Sequence, residues 1–261
     1  SGGSDKSSYY MSAGYLEDNG YIQGSGFQRF NARAKVDQEV TKWFKAGANL
    51  AYTQTTQDAP SAGGTDYSNL FMFSQSIAPI YPIYLYDQTT GDAILDENGN
   101  KKYDFGDQNG RPYASKQNPL SYLGSDIYRY IADNLSLRGY LEFSFLKDFK
   151  FTVNASYDVF NFSSTEFMSP TNGNATENGG TGSKAMQRYA AFNTNQLLTY
   201  EHDFDGHSVN VLLGHELKMD ETEVLSGSMQ QFYDPANPEF SNAGTITDLS
   251  SYTSGYNIQG L

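Results

Sequence analysis

Hydrophobic and polar residues alternate with a period of two along several long segments of the chain. One segment places four apolar residues on one side: Phe30, Ala32, Ala34 and Val36. The residues between them are polar or charged: Asn31, Arg33, Lys35 and Asp37. The same alternation recurs in residues 9–16, 44–53, 136–145, 149–159, 188–202 and 208–218. Because a strand repeats every two residues and a helix every 3.6, the pattern predicts a chain built of long strands.

The connections between these strands alternate between short and long. The short ones are residues 38–43, 147–148 and 203–207. The long ones are polar and rich in Gly, Asn, Ser and Asp: residues 17–26, 57–127, 164–187 and the tail after about 226. Outer-membrane barrels show this asymmetry, around strands of which about 9–11 residues cross the bilayer. We therefore predict an all-β chain, an antiparallel up-and-down segment of a transmembrane β-barrel with long extracellular loops.

In such a barrel the apolar face of each strand meets lipid and the polar face meets an aqueous lumen. Seven side chains on the polar sides of the strands are predicted to face the lumen: Arg33, Lys35, Asn49, Arg138, Glu142, Asn154 and Asp158. Aromatic residues at the short turns would form an interfacial girdle: Trp43, Phe44, Phe149 and Phe204. Tyr and Trp favour that level because one end of the ring is apolar and the other is hydrated.

Two other architectures fit part of the pattern. A soluble β-rich module that recognises glycans at the cell surface would also alternate, although soluble strands are usually about 5–6 residues long and turn their polar side outward. A complete small barrel, acting as a lipid-modifying enzyme or an anchor, would need about eight strands closed on themselves. Dependence on detergent separates the soluble module from both membrane alternatives.

Composition removes several classes of function. The chain has no cysteine, which excludes disulfides, thiolate catalysis and cysteine-based metal centres. A net charge of −13 argues against a nucleic-acid partner, because phosphate binding rests on positive charge. The three histidines, His202, His207 and His215, form no cluster in the sequence, and no nucleophile elbow, phosphate loop or HExxH motif is present. The chain is therefore predicted not to be an enzyme and to need no cofactor, with calcium as the single candidate considered below.

Three blocks of sequence resemble barrel strands of the SusC/RagA family of TonB-linked outer-membrane proteins. They are Tyr9 to Gly20 (YYMSAGYLEDNG), Phe30 to Arg33 (FNAR) and Trp43 to Tyr52 (WFKAGANLAY), and their spacing also matches. Ala78 to Tyr84 (APIYPIY) and Asn118 to Leu120 (NPL) resemble the long extracellular loop of that family. The likeness runs through residues 5–225.

The resemblance implies a barrel of about 22 strands whose lumen is closed by a plug. Seven or eight strands are visible, so residues 1–261 are expected to be an internal piece of the barrel, without the plug domain or the terminal strand. The family implies a bacterial outer-membrane importer of oligosaccharides or peptides. It also implies a SusD-like surface lipoprotein as partner, and energy supplied by TonB through an N-terminal part that these residues lack.

One loop segment carries a pattern related to calcium-binding loops. Oxygen-bearing side chains fall at loop positions 1, 3, 5, 9 and 12: Asp96, Asn98, Asn100, Asp104 and Asp107. Lys101 stands where such a loop requires Gly, and Asp107 replaces the usual Glu. The alternative is a β-hairpin with Asn98-Gly99 as its turn, which we favour because this dipeptide readily adopts positive φ.

Four tyrosines of the long loop are candidates for contact with cargo or with a lipoprotein partner: Tyr81, Tyr84, Tyr86 and Tyr103. Their large, rigid rings suit stacking on sugars or packing against a protein. The alternative is that they form the core of an ordered loop. A short helix is also predicted over residues 67–78, with Leu70, Phe71 and Phe73 packing on the wall.

Overall fold

A computed structural model describes residues 1–60, 70–107, 110–114, 116–171 and 173–261. Within them the chain forms one antiparallel sheet in which every strand pairs with its neighbours in sequence order. The nine strands are β1 (Gly2–Ser4), β2 (Ser7–Asn19), β3 (Gly26–Thr41), β4 (Phe44–Asp58), β5 (Ile127–Phe145), β6 (Phe149–Met168), β7 (Thr181–Phe204), β8 (His207–Phe232) and β9 (Ala243–Gly260). The predicted all-β, up-and-down antiparallel architecture is confirmed.

Helices are confined to the connections. They are α1 (Leu70–Ser76), α2 (Pro119–Tyr122) and two 3-10 helices, Gly173–Asn178 and Phe240–Asn242. The predicted helix over 67–78 is present as α1, although residues 67–69 lie outside the described part of the chain. Among the described residues, no helix has the length and apolar character needed to cross a membrane.

The strands extend further into the predicted connections than the alternation indicated. The predicted link 38–43 shrinks to a turn at Lys42-Trp43, and the link 203–207 shrinks to Asp205-Gly206. The long loop spans 59–126. Backbone pairing continues into these segments because the ladder needs only N–H and C=O groups, whatever the side chains are.

The prediction that the tail after 226 is a connection is wrong. Strand β8 continues to Phe232, and β9 follows after a short loop with its own 3-10 helix. Strand β9 pairs with β8 from Ala243 to Gly260, with a bulge near Thr247. The alternation pattern did not identify β9, because serine, threonine and glycine are spread over both sides of this strand and leave a weak period-two signal.

The pairing register gives the sheet two chemically distinct faces. The polar face carries all seven side chains predicted for the lumen: Arg33, Lys35, Asn49, Arg138, Glu142, Asn154 and Asp158. The apolar face carries rows of paired apolar residues, such as Leu50, Leu137, Tyr157 and Phe192. A one-residue slip in any pairing would exchange the two faces, so the register is what separates them.

No second layer covers the apolar face of the described sheet. Phe30, Leu141 and Val211 on that face retain 43%, 42% and 45% of their accessible surface. The surface of the whole chain is 16559 Å², whereas a compact monomer of 28.9 kDa would expose about 11,400 Å². The apolar face is therefore not the interior of a sandwich, and it requires an apolar environment from outside the chain.

The character of each face changes along the strands. On the apolar face, the rows from Phe44 at the end with short turns to Tyr52 are apolar across β4, β5 and β6, and include the polar Gln196 and His215 further along, in β7 and β8. The next row towards the long loops is polar and charged, and consists of Gln54, Asp133, Asn161, Arg188 and Glu223. Phe30 pairs with Gln54 in this row, so it lies above the apolar band rather than inside it. The band is thus bounded at both ends.

The short turns are staggered like the steps of a staircase. Phe44 pairs with Phe143, so β5 continues beyond the first hairpin by Ser144 and Phe145. Phe149 pairs with Tyr200, so β7 extends past the second hairpin to Phe204. Backbone hydrogen bonds join each turn to the strand that extends past it, from Ser144 N to Trp43 O at 2.8 Å and from Glu201 N to Asp148 O at 2.9 Å. Each hairpin therefore reaches further than the one before it.

Aromatic rings cluster at the end with short turns, where the girdle was predicted. Phe44 and Phe143 stack with their ring centroids 4.9 Å apart, and Trp43 lies 6.3 Å from Phe143. Phe149 packs on Tyr200 at 4.8 Å. At the opposite end, a small core forms under the loop between β8 and β9, where Phe167 meets Phe232 at 4.8 Å beside Met229.

Candidate cargo and partner surfaces

The middle of the polar face contains an open cavity of about 380 Å³. Gly47, on the wall of this cavity, makes room for the Tyr140 ring, because a Cβ there would lie 2.3 Å from the ring and 2.7 Å from Asp37 Oδ1. The Tyr140 ring lies across the glycine and its hydroxyl donates to Asp37 Oδ1 at 3.1 Å. Asp37 also pairs with Lys35 Nζ at 2.8 Å. The glycine thus allows an aromatic ring to lie flat on the sheet beside an ion pair.

Charged side chains on the polar face pair with each other across strands. Lys45 Nζ lies 3.9 Å from Glu142 Oε1, and Arg138 Nη2 lies 4.0 Å from Asp158 Oδ1. These four side chains remain between 24% and 65% exposed, so each pair contributes little to stability and can open for a ligand. The structure therefore brings the predicted lumen residues together as a balanced, solvated surface.

Amide side chains complete the same surface. Arg33 Nε donates to Asn49 Oδ1 at 3.1 Å, and Asn154 Nδ2 donates to Asn195 Oδ1 at 2.7 Å. Asn193 and Asn195 were not predicted, although both lie on the cavity wall. Their alternation with Gln196 and Thr194 gave no apolar side by which the sequence could assign them to a face.

Towards the long loops, the polar face becomes aromatic. Five of the rings there, from four strands, form a group that we call the aromatic collar: Tyr130, Phe160, Phe162, Tyr189 and Tyr252. Tyr130 and Phe162 stack at 6.3 Å with an interplanar angle of 15°, and Phe160 is the direct cross-strand partner of Tyr189. Sequence reasoning missed the collar, because aromatic residues at these positions share their side of the strand with polar ones.

The four candidate tyrosines of the long loop fall into two groups. Tyr84, Tyr86 and Tyr103 share one side of a small antiparallel meander, in which Tyr84 bridges Tyr103 and Tyr86 bridges Ala93. The Tyr84 and Tyr103 rings are 5.1 Å apart, and Lys101 Nζ lies 5.5 Å above Tyr84. Tyr81 instead packs edge-on against Tyr113 at 6.1 Å. The first three therefore present a common surface, and Tyr81 belongs to the packing of the loop.

Buried polar groups hold this loop in shape. The buried Arg111 guanidinium donates to the carbonyls of Phe105, Ala114 and Gln117, and its Nε donates to Tyr113 O at 3.1 Å. Asn118 Nδ2 donates to the carbonyls of Ile83 and Asp104, at 2.9 and 3.0 Å. Lys116 pairs with Glu177, which ties the loop to the connection between β6 and β7. Hydrogen bonds and an ion pair thus hold the described part of the loop together as one unit.

The proposed calcium segment is a hairpin in this structure. Leu95 bridges Lys101, and Gly99 has φ of +82°. Asp96 Oδ1 accepts the backbone N–H groups of Asn98 and Asn100 at 2.9 and 2.8 Å. The bond from Asn100 N–H is the main reason that the pKa of Asp96 is lowered.

The remaining oxygen donors of that segment lie elsewhere. Asp104 is fully buried and accepts from Gly106 N at 2.7 Å, while Asp107 is exposed. In the described residues no three Asp, Glu or His side chains are grouped closely enough to hold a metal ion. Calcium binding here stays the untested alternative to the favoured hairpin.

One carboxyl group at the base of the loop has an unusual environment. Asp126 precedes β5 and is largely buried, and burial raises its pKa to about 6. Two hydrogen bonds act in the opposite direction, one from Ser169 N at 2.9 Å and one from Ser125 Oγ at 3.3 Å. Desolvation prevails because these two bonds replace only part of the lost hydration.

Comparison with known proteins supports the family resemblance. No family model matches the chain. The chain is 28% identical over 240 residues to TonB-dependent receptor P3 of Formosa agariphila. This match covers 89% of this chain and 22% of that receptor. TonB-dependent receptor P39 of the same organism is 36% identical over 63 residues, or 24% of this chain and 6% of that receptor. The chain therefore spans less than a quarter of the length of the relatives it matches.

Solved structures show the same fold. The RagAB peptide importer in its open-open state superposes with a TM-score of 0.75 at 19% identity, covering 98% of this chain and 27% of that one. The ferripyoverdine receptor of Pseudomonas aeruginosa gives a TM-score of 0.51 at 10% identity, covering 96% and 31%. The resemblance to SusC/RagA-family TonB-dependent transporters predicted from the sequence is thus confirmed, with this chain similar to a part of them.

Proposed function

We propose that the chain is a piece of the wall of a TonB-dependent importer in the bacterial outer membrane. The observation that supports this most strongly is an apolar band, bounded along the strands and covered by no second layer, on one face of a long-stranded sheet. Lipid would cover that band, and the polar face would line an aqueous lumen. Such a wall contributes passage and selection, and performs no covalent chemistry.

The cargo follows the family resemblance and is an oligosaccharide or a peptide. The polar face suits either, since it offers amide groups and ion pairs that can exchange partners with a ligand. TonB would act through a part of the importer outside these residues. No cofactor is part of the proposal, and we propose that the Asp96 to Asp107 segment keeps its hairpin form without calcium.

A SusD-like lipoprotein is the proposed partner of the long loop. The surface formed by Tyr84, Tyr86 and Tyr103 supplies rigid rings on an ordered support, as protein interfaces commonly do. In the complete importer, Tyr86→Ala combined with Leu95→Ala should weaken co-purification of the lipoprotein. Tyr81→Ala, which alters the packing of the loop, serves as control. Undiminished co-purification with the double variant would contradict this contact.

The absence of cysteine allows a direct test of the two faces. Single cysteines would be placed in a cysteine-free complete importer at Leu50 and Leu137 on the apolar face, and at Asn49 and Arg138 on the polar face. Spin labels at Leu50→Cys and Leu137→Cys should relax strongly with oxygen, which partitions into lipid. Labels at Asn49→Cys and Arg138→Cys should respond to a water-soluble nickel complex instead. Equal response to both reagents on both faces would contradict the proposed orientation.

A further inference from the structure

The aromatic collar occupies a defined level of the polar face. Its members occupy three neighbouring rows of the polar face. Phe160 and Tyr189 lie at the level where the opposite face changes from apolar to polar, and the other three rings lie beyond that level, towards the long loops. Most of the rings are partly exposed, and Tyr252 retains 57% of its surface. If the polar face lines a lumen, these rings line one side of it near the opening on the side of the long loops.

Ionised groups near the collar already have partners. Glu166 accepts from the Tyr130 hydroxyl at 2.9 Å and from Ser183 Oγ at 3.5 Å. Lys218 Nζ donates to the Tyr256 hydroxyl at 3.1 Å and lies 3.7 Å from Asp220. A cargo charge of either sign would therefore compete with an existing interaction.

Neutral polar groups lie between the rings. The pairing register puts four of them on the same face and at neighbouring positions: Asn134, Gln187, Thr222 and Ser254. Amides and hydroxyls can both donate and accept, which matches the hydroxyl groups of a sugar. A pyranose ring has C–H groups on its face and hydroxyl groups around its edge. Aromatic rings suit the face, and the neighbouring amides and hydroxyls suit the edge.

We propose that the aromatic collar is a cargo-contact site that selects uncharged, polyhydroxylated chains, that is, neutral oligosaccharides, by ring stacking. This inference rests on the proposed function, since it requires the polar face to line the lumen. Acidic oligosaccharides would approach Glu166, Asp158 and Asp220 and be disfavoured. A cationic peptide would have to displace the Tyr130 hydroxyl or Lys218 from these carboxylates.

The test compares substitutions on the two faces of the sheet in the complete importer. Phe162→Leu and Tyr189→Leu keep apolar volume and remove the ring face, whereas Tyr157→Leu makes the same change on the apolar face. Affinities would be measured by calorimetry in detergent against a panel of neutral hexasaccharides of glucose, galactose and mannose. The same measurement would cover sulfated and uronic hexasaccharides and hexapeptides of positive, neutral and negative charge.

The complete importer should bind at least one neutral hexasaccharide, and each collar variant should weaken that affinity by about tenfold. Tyr157→Leu should leave it within about twofold, which shows that the loss comes from the ring faces rather than from general unfolding. Binding of peptides or charged glycans without any neutral glycan, an empty panel, or equal affinities for collar and control variants would each overturn the proposal. The spin-label pattern described above would still hold in those cases if only the collar assignment is wrong.

Discussion

Gly47 shows how one missing side chain shapes the polar face. Replacement by Ala would force its Cβ against the Tyr140 ring, so that the ring must swing away and lose its bond to Asp37. We expect Gly47→Ala to destabilise the complete barrel by about 1–3 kcal/mol, the usual range for overpacking.

Gly139→Ala is the matched control, because its Cβ would meet only the Gly47 carbonyl at 3.4 Å. Urea unfolding in detergent micelles would compare the two variants. In a Tyr140→Ala background the cost of Gly47→Ala should fall, because only the contact with Asp37 Oδ1 remains, and an undiminished cost there would refute the clash with the ring.

Asp126 predicts a dependence on pH. Its folded pKa of about 6 lies above the ordinary value of 3.8, so the folded junction binds a proton more tightly than the unfolded chain. The stabilisation from protonation is therefore present at low pH and is lost as the pH rises from about 4 to about 6. We expect Asp126→Asn, which can still accept from Ser169 N, to hold the junction closed at neutral pH.

Hydrogen exchange of the Ser169 amide, corrected for the chemical exchange rate, would measure this effect. Protection in the unmodified protein should fall between pH 4 and pH 7, and in Asp126→Asn it should stay level. A parallel fall in both proteins would show that Asp126 is not the titrating group.

At the scale of the element, alternation alone predicted most of the sheet. The segments around β3, β4, β5 and β6 were identifiable because one side of each is consistently apolar and the other is mostly polar or charged. Strand β9 was not identifiable, since small polar residues on both of its sides remove the contrast. The aromatic collar was not identifiable either, since its rings lie on the polar side of their strands. The Asn98-Gly99 turn was predictable because its chemistry is local.

The same turn supplies a prediction about calcium. Asp96 Oδ1 already accepts two backbone N–H groups, so a metal ion would have to displace them. We expect calcium titration to leave the melting temperature of the complete importer unchanged. Gly99→Ala should instead lower loop stability by about 1 kcal/mol through its positive φ. A rise in melting temperature with calcium that Asp107→Ala abolishes would establish the metal site.

At the scale of the molecule, the described sheet has an unpaired edge at each side, along β1 and the rest of β2 on one side and along β9 on the other. Unpaired edges and an uncovered apolar face both favour association. We expect residues 1–261 produced alone to aggregate in detergent-free buffer. Size-exclusion chromatography with light scattering would check this, and a monodisperse monomer without detergent would contradict it.

The staircase of short turns has a geometric consequence for the complete wall. If Lys42-Trp43, Lys147-Asp148 and Asp205-Gly206 all rest at one membrane surface, the strands between them must lean relative to the membrane normal. The tilt of the strands and their number together set the circumference of a closed barrel. The number of residues by which each hairpin extends beyond the previous one therefore helps to set the width of the barrel, and with it the width of a molecule that can pass.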